Sequence, residues 1–368
     1  MPKTQETVLE IDLSALKHNF EYLKSKLQKK TKFLAVVKAF AYGHEADEIA
    51  LFLQNLDVDY FAVAYTGEGV ALRDAGITKP ILVLHPLPVG FSTIIDRCLE
   101  PSIYNAKVLN AFMQMASDKN QKDYPIHLKF NTGLNRLGFS ENDIEGIYSK
   151  INSSNVVRVE SIFSHLAASE DLSEKEFMLH QINSFKKITE KFKVCFGYQP
   201  MLHMCNTSGI LNYPEAHFDM VRSGIGLYGF GNSEKENKNF RPIASLKSVI
   251  SQIHHIEKGE TVGYNRAYKS TSSMKTATIP IGHADGIGRP YGNGKGYVII
   301  DGKKAAIVGN VCMDMIMVDI TGIDCHEGDE VIVFDASNTA DDLAHSANTI
   351  SYELITAISQ RVKRNIIN

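Results

Sequence analysis

The sequence predicts an α/β chain in which a TIM-type (β/α)8 barrel, residues 1–235, precedes a mainly β C-terminal domain, residues 236–368. Three observations lead there. Eight short strand candidates, apolar and rich in β-branched residues, alternate with helix-patterned stretches as far as Gly224. Several of those strands end in a reactive or polar residue, as barrel strands do at the face where active sites are built. After the polar stretch FGNSEKENKNFRP (230–242) the alternation stops and close-spaced strands take over. A doubly wound open sheet uses the same alternation, but the count of eight favours closure.

In chain order, apolar residues at Leu13, Leu16, Phe20, Leu23 and Leu27 fall on one helical face, with Asp12 or Ser14 able to cap its start. FLAVV (33–37) is too short and too β-branched for another helix and reads as a buried strand. Helix-like EADEIALFLQNL (45–56), strand YFAVA (60–64), helix GEGVALRDAG (67–76), strand ILVLH (81–85) and helix STIIDRCL (92–99) follow. Then come strand PSIYN (101–105), helix AKVLNAFMQMAS (106–117), strand IHLKFN (126–131), helix ENDIEGIYSKI (141–151) and strand VESIFSH (159–165). A long helix, EKEFMLHQINSFKKITEKF (174–192), leads to the last two barrel strands, MLHMCN (201–206) and FDMVRSG (218–224). Past the polar stretch, TATIPIG (276–282), YVIIDGKKAAIVG (297–309), MIMVDIT (315–321) and DEVIVFDA (329–336) read as strands. Asp301-Gly302 is a hairpin turn, and YELITAISQRV a terminal helix.

Composition narrows the function. With 44% hydrophobic residues the 368-residue chain can bury a large core, and a formal net charge of −3 gives no basic excess for nucleic acid or anionic membranes. The opening MPKTQETVLEIDLSALKHNF has no apolar leader core, and five scattered cysteines without a C-x-x-C point to reduced thiols in a cytoplasm. No His or Cys pair has convincing metal-ligand spacing, so no metal is assigned. The strand-end residues Lys38, His85, Asn105, Lys129, Asn131, His165, Asn206 and Arg222 would converge on one barrel face as a cationic, hydrogen-bonding cluster suited to an anionic ligand.

GIGLYG (224–229) has the spacing of a dinucleotide fingerprint, but a polar loop rather than a helix follows, which rejects that reading. AVVKAFAYGHEA (35–46) puts Lys38 at the mouth of the first barrel strand, where a lysine that loses its charge can form a Schiff base. This segment, together with HLKFNTGLNRLGF (127–139), SIFSHLAASED (161–171), LHMCNTSGIL (202–211), FDMVRSGIGLYG (218–229), TVGYNRAY (261–268), IPIGHADG (279–286), AIVGNVCMDM (306–315) and TISYELITAISQRVKR (349–364), closely resembles the alanine racemases. These are pyridoxal 5′-phosphate (PLP) enzymes, and the resemblance runs over nearly the whole chain.

The resemblance implies interconversion of L- and D-alanine by two bases on a PLP aldimine, supplying D-alanine for cell-wall peptidoglycan; the alternative is a PLP-dependent amino-acid racemase of broad specificity. It implies that Lys38 holds the cofactor, that Tyr42, Asn206, Thr207, Gly224, Ile225 and Tyr352 surround it, and that Arg222 faces its pyridine nitrogen. Arginine keeps its proton, so it would donate to that nitrogen without protonating it. His165 would link Arg222 to Tyr264, the second base, contributed by the partner in a homodimer with shared sites. Arg136 and the Met313 N–H would hold the substrate carboxylate, and Lys129 matches a position often carbamylated. Three departures stand out: Asn131 for the usual aspartate of D-T-G, His283 in place of the tyrosine of Y-A-D-G, and Asn310 for the arginine of V-G-R. The last two bear on the substrate corridor.

Overall fold

The computed structural model describes residues 6–367; Met1–Gln5, part of the segment read above for a leader, lie outside the described residues. Strand β1 (Val8–Asp12) comes first, and eight parallel strands then close a barrel. They are β2 (Lys32–Val36), β3 (Tyr60–Val63), β4 (Ile81–Val83), β5 (Glu100–Ile103), β6 (Tyr124–Lys129), β7 (Val157–Phe163), β8 (Met201–His203) and β9 (Met220–Ser223). Closure is made by β9 on β2, from Lys32 opposite Met220 to Ala35 opposite Ser223. Phe33, Leu34, Phe61, Ile103 and Leu128 are fully buried on these strands, each worth about 1.5–3 kcal/mol of apolar burial.

Every expected barrel strand is present, but several stop short because polar side chains begin the next helix. Asn105 Oδ1 accepts the Val108 N–H at 2.8 Å and caps the helix Ala106–Asp118. Asn206 Oδ1 accepts the Gly209 N–H at 2.9 Å and starts a short helix, Thr207–Asn212, that the reading of MLHMCN as a strand did not anticipate. The first helix, Leu13–Lys24, buries Leu13, Leu16, Phe20 and Leu23 as the spacing requires, and Asp12 Oδ1 caps it at 3.0 Å from the Ala15 N–H.

The remaining strands are β10 (Ala244–Val249), β11 (Gln252–Ile256), β12 (Thr261–Val262), β13 (Tyr268–Lys269), β14 (Met274–Ile279), β15 (Tyr297–Ile300), β16 (Lys303–Val308), β17 (Ile316–Asp319), β18 (Glu330–Phe334) and β19 (Lys363–Ile367). Nine strands form one sheet in the order β11-β14-β17-β16-β15-β18-β10-β1-β19. The β15–β16 hairpin turns at Asp301 and Gly302, both at positive φ (47° and 70°), which is the backbone that Asp-Gly supplies most readily. Strand β1 belongs to this sheet, antiparallel to β10 and parallel to β19, so the chain visits the second unit before building the barrel.

The expected terminal helix is cut to Ser351–Ala357. At Ile358 the backbone turns extended (ψ 112°), and the chain leaves as β19. Two arginines account for the turn: Arg361 pairs with Asp285 and Asp314, while Arg364 donates to the carbonyls of Gly43, His44, Ile358, Ser359 and Val362. The second of these fastens the C-terminal segment to the turn that follows Lys38. Among the described residues no helix is long and apolar enough to cross a membrane.

Candidate active site

At the C-terminal mouth of the barrel lies a cavity of about 400 Å³. Lys38, Lys129, Arg136, His165 and Arg222 line it, and so do Tyr42, Asn206, Thr207, Gly224, Ile225 and Tyr352. Eleven of the residues expected from the sequence are thus brought together, in a volume typical of small-molecule sites, which run to roughly 300–1,000 Å³.

Lys38 follows the end of β2, and the backbone after it is unusual. Ala39, Phe40, Ala41 and Tyr42 all have φ between 50° and 56°, a left-handed turn built without glycine. Such a conformation costs about 1–2 kcal/mol per residue, so the surroundings must hold it. One Glu68 carboxylate oxygen accepts the Ala39 N–H at 2.6 Å; the other accepts the Ala64 N–H at 2.7 Å and the Tyr65 N–H at 3.0 Å. Tyr42 stacks on Tyr228 at 4.6 Å, and His44 stacks on Tyr228 at 5.0 Å. The turn delivers the Tyr42 hydroxyl to Gly224, where a Cβ would stand 2.2 Å from Oη. Burial, and then Arg136, lower the Lys38 pKa against the opposing pull of Glu68. An amine so placed gives up its proton to become a nucleophile more readily than a free lysine.

Arg222 is buried and its fork is fully used on one edge. Nη2 donates to Ser164 O at 2.7 Å, to Met204 O at 3.2 Å and to His165 Nδ1 at 3.1 Å, while Nη1 donates to His203 Nδ1 at 2.7 Å. Burial and the adjacent Arg222 hold both histidines well below the ordinary imidazole value. Each is therefore neutral, and with Nδ1 accepting from an arginine that can only donate, its hydrogen sits on Nε2. Lys129 is lowered to about 8 by burial, then by Arg136, Arg222 and Lys38. Its ammonium stands 5.7 Å over the Phe163 ring, whose centroid is 5.4 Å from the Arg222 guanidinium.

On the opposite side, Tyr352 Oη donates to Asn232 Oδ1 at 3.0 Å, and Thr207 Oγ1 lies 3.0 Å from Ser223 Oγ and accepts the Gly226 N–H at 3.3 Å. The Asn131 amide folds back on its own loop: Oδ1 accepts the N–H of Gly133 at 3.1 Å and of Asn135 at 2.9 Å, and Nδ2 donates to Asn135 Oδ1 at 2.8 Å. An amide thus closes the turn that an aspartate could close through the same oxygen.

Tyr264 and Met313 are not brought to Lys38. They border a separate, open hollow of about 700 Å³ with Met315, and are 75% and 58% exposed. Asn310 Nδ2 donates to the Tyr264 carbonyl at 3.4 Å, and the His283 N–H donates to Cys312 O at 2.9 Å, so both departures lie beside this hollow rather than in the barrel mouth.

Sequence reasoning missed Glu68, His203, Ser164 and Asn232. Glu68 carried a legible signal, an acid three residues after Tyr65 at the start of the helix Thr66–Asp74, which is the spacing of a capping box. His203 carried none, since its role depends on which strand stands next to it.

The alanine racemase N-terminal domain model matches residues 11–231, and the alanine racemase C-terminal domain model matches 243–366. The alanine racemase of Halothermothrix orenii is 34% identical over 373 residues, covering 99% of this chain and 98% of the relative. That of Thermodesulfovibrio yellowstonii is 36% identical over 366 residues, 97% of each. Among solved structures, the alanine racemase of Clostridium difficile 630 superposes with a TM-score of 0.92 at 35% identity, covering 99% of this chain and 96% of that one. The Bacillus anthracis alanine racemase with bound L-Ala-P gives 0.92 at 28% identity, covering 100% and 96%. A closed barrel with a lysine at the mouth of its first strand, a β unit behind it, and near-complete coverage in every comparison place this chain in the alanine racemase family of isomerases.

Proposed function

We propose that the chain interconverts L- and D-alanine with PLP as cofactor, using Lys38 of one subunit and Tyr264 of the partner subunit as the two bases. The observation that carries this reading is the convergence of Lys38, Arg222 and the Tyr42–Gly224 contact in one cavity. The donor set fits the group: an amine for an aldehyde, a guanidinium for a ring nitrogen, and hydroxyls with close backbone around a space that a Cβ would fill, for a phosphate. Lys38 would hold the aldehyde carbon, Arg222 the pyridine nitrogen, and Tyr42, Thr207, Gly224, Ile225 and Tyr352 the phosphate, with Asn206 and His165 flanking.

When bound, PLP withdraws the electron pair left at the substrate Cα as its proton departs. The chain's own part is to place and move protons. Arg222, lowered only to about 10 by burial, stays charged at neutral pH and donates a hydrogen bond without releasing its proton. Arg136 orients the alanine carboxylate, assisted by the Met313 N–H of the partner subunit. Lys38 Nζ, freed when the substrate amine takes its place at the aldehyde carbon, would take or return the Cα proton on one face, and the partner's Tyr264 Oη would serve the other, so a single pass inverts the centre. His165, with Nδ1 committed to Arg222, has Nε2–H available to the tyrosine oxygen. Lys129, lowered to about 8, more readily supplies the uncharged amine whose lone pair attacks CO₂ and, with loss of a proton from nitrogen, gives a carbamate, an anion suited to steady Arg136.

The assembly is a homodimer with shared sites, supported by the exposed Tyr264, Met313 and Met315 around an open hollow separate from the cavity that the subunit's own Lys38 lines. The barrel of residues 1–235 binds the cofactor and residues 236–368 complete the partner's site, with β1 as the part of the first segment that lies in the second sheet. The enzyme works in the cytoplasm, in keeping with five free thiols, and supplies D-alanine for peptidoglycan. Incubation of the PLP-reconstituted protein with L-alanine in D₂O tests the reading. Deuterated D-alanine without loss of CO₂ is the expected product; a colourless protein, or alanine recovered unchanged, refutes it.

A further inference from the structure

We propose that Glu100, at the end of the barrel opposite the cavity, is a positioning residue for Arg222, acting through the buried file His127–Ser161–His203. The five residues come from five successive strands: Glu100 opens β5, His127 is in β6, Ser161 in β7, His203 in β8 and Arg222 in β9. Arg222 Nη1 lies 2.7 Å from His203 Nδ1, His203 Nε2 2.9 Å from Ser161 Oγ, Ser161 Oγ 2.6 Å from His127 Nδ1, and His127 Nε2 2.7 Å from Glu100 Oε2. His127, Ser161 and His203 have no exposed surface.

The file admits one arrangement of hydrogens. A guanidinium can only donate, so His203 Nδ1 accepts and its hydrogen is on Nε2. That hydrogen goes to Ser161 Oγ, whose own single hydrogen must then go to His127 Nδ1. The remaining hydrogen of His127, on Nε2, meets a carboxylate, which can only accept. A donor-only group closes one end and an acceptor-only group the other, and the three groups between them, each able to donate and to accept, are polarised in the same sense.

The register was adjusted to make this possible. Along β6 and β7, Ile126 stands opposite Val159, but the next pair is His127 with Ser161, because a bulge skips Glu160. The extra residue turns His127 inward beside Ser161 rather than beside an acid facing out.

Without an acceptor at position 100, Arg222 alone sets the sense of the file: the present polarity then leaves His127 Nε2–H buried without its partner, and the reversed polarity, which relieves that end, competes with it. His203 would then point Nδ1–H at Nη1 of Arg222, donor against donor at 2.7 Å, and one of the bonds fixing the guanidinium would be lost. The proposal rests on the reading that Arg222 faces the pyridine nitrogen; its own core, the hydrogen arrangement, is measurable without cofactor.

The test uses apoprotein labelled with ¹⁵N-histidine, in which imidazole nitrogen shifts report each tautomer, and a PLP titration followed by absorbance. Glu100→Leu should convert His203 from a single Nε2–H form to a mixture and weaken PLP binding about tenfold, equivalent to about 1.4 kcal/mol. Glu100→Gln, whose carbonyl oxygen replaces the acceptor, should restore the single tautomer. A folded Glu100→Leu protein with the wild-type tautomer and affinity overturns the proposal. Should that variant not fold, Ser161→Ala breaks the same file by removing one oxygen and is judged by the same two readouts. Wild-type protein that binds no PLP would refute the cofactor reading, while the tautomer shift still decides the role of Glu100.

Discussion

Replacing Gly224 by alanine adds one methyl group at the point where the cofactor seat is tightest. Its carbon would lie 2.2 Å from Tyr42 Oη and 2.7 Å from Tyr42 Cζ. Relief needs a shift of roughly 1.3 Å, to the ~3.5 Å at which such atoms rest. Tyr42 cannot swing aside freely, since its ring is stacked on Tyr228 at 4.6 Å and its backbone is fixed in the left-handed turn. Overpacking of this kind costs about 1–3 kcal/mol in stability. On the proposed reading a displaced hydroxyl would also lose its hydrogen bond to the PLP phosphate, about 1.5–3 kcal/mol, so PLP should bind roughly 10- to 100-fold more weakly. Equilibrium titration of apoprotein with PLP, beside urea unfolding, reads both effects. Gly146→Ala is the control: it lies in the helix Ile144–Asn152 with nothing within 4 Å of the added carbon. Unchanged PLP affinity and unfolding midpoint in Gly224→Ala would refute the assignment of this contact to the cofactor seat.

Tyr264→Phe should keep PLP bound and lose at least a hundredfold in racemisation, within the roughly 10²–10⁴-fold range of general acid–base catalysis; turnover near wild type would remove Tyr264 from the proton path. Lys129→Ala should raise the KM for alanine more than it lowers kcat, because Arg136 then lacks its neighbour while the proton-transfer groups remain; an unchanged KM would count against a substrate-orienting role. Acid should destabilise the fold through histidines buried in the neutral form. Burial holds His44 at about 4, so below about 6.5 the unfolded chain takes up a proton that the folded chain refuses, and stability falls about 1.4 kcal/mol per pH unit for this residue. Between about pH 7 and pH 5.5, His44→Gln should therefore lose about 1.4 kcal/mol less than wild type in urea unfolding; an identical loss would refute it.

The barrel was legible because its strands are short apolar runs that end in reactive groups, and because helical spacing at Leu13, Leu16, Phe20 and Leu23 is unambiguous. Lys38, Lys129, His165 and Arg222 could be placed at strand mouths on that basis alone, whereas Tyr42, Tyr264, Met313 and Tyr352 rested on resemblance. Val8–Asp12 escaped notice because its partners, β10 and β19, lie at the far end of the chain and impose no local pattern. KAFAY reads as good right-handed helix, since alanine favours it; the left-handed turn exists only through Glu68, Tyr228 and Arg364, which no local rule contains. His127 and Ser161 looked like ordinary strand residues because their meeting depends on a bulge that shifts the register by one.

The placement of β1 between β10 and β19 has a consequence for synthesis. Residues 8–12 leave the ribosome before the barrel strands, yet one neighbour of that strand, Lys363–Ile367, emerges only after the barrel and the rest of the nine-stranded sheet. Until then its edge is bare, and so is the apolar side that Leu9 and Ile11 cover in the finished molecule. The nascent barrel therefore carries an unsatisfied ribbon until β19 has been made, and a chain stopped after Val362 should precipitate during expression rather than give a merely less active product.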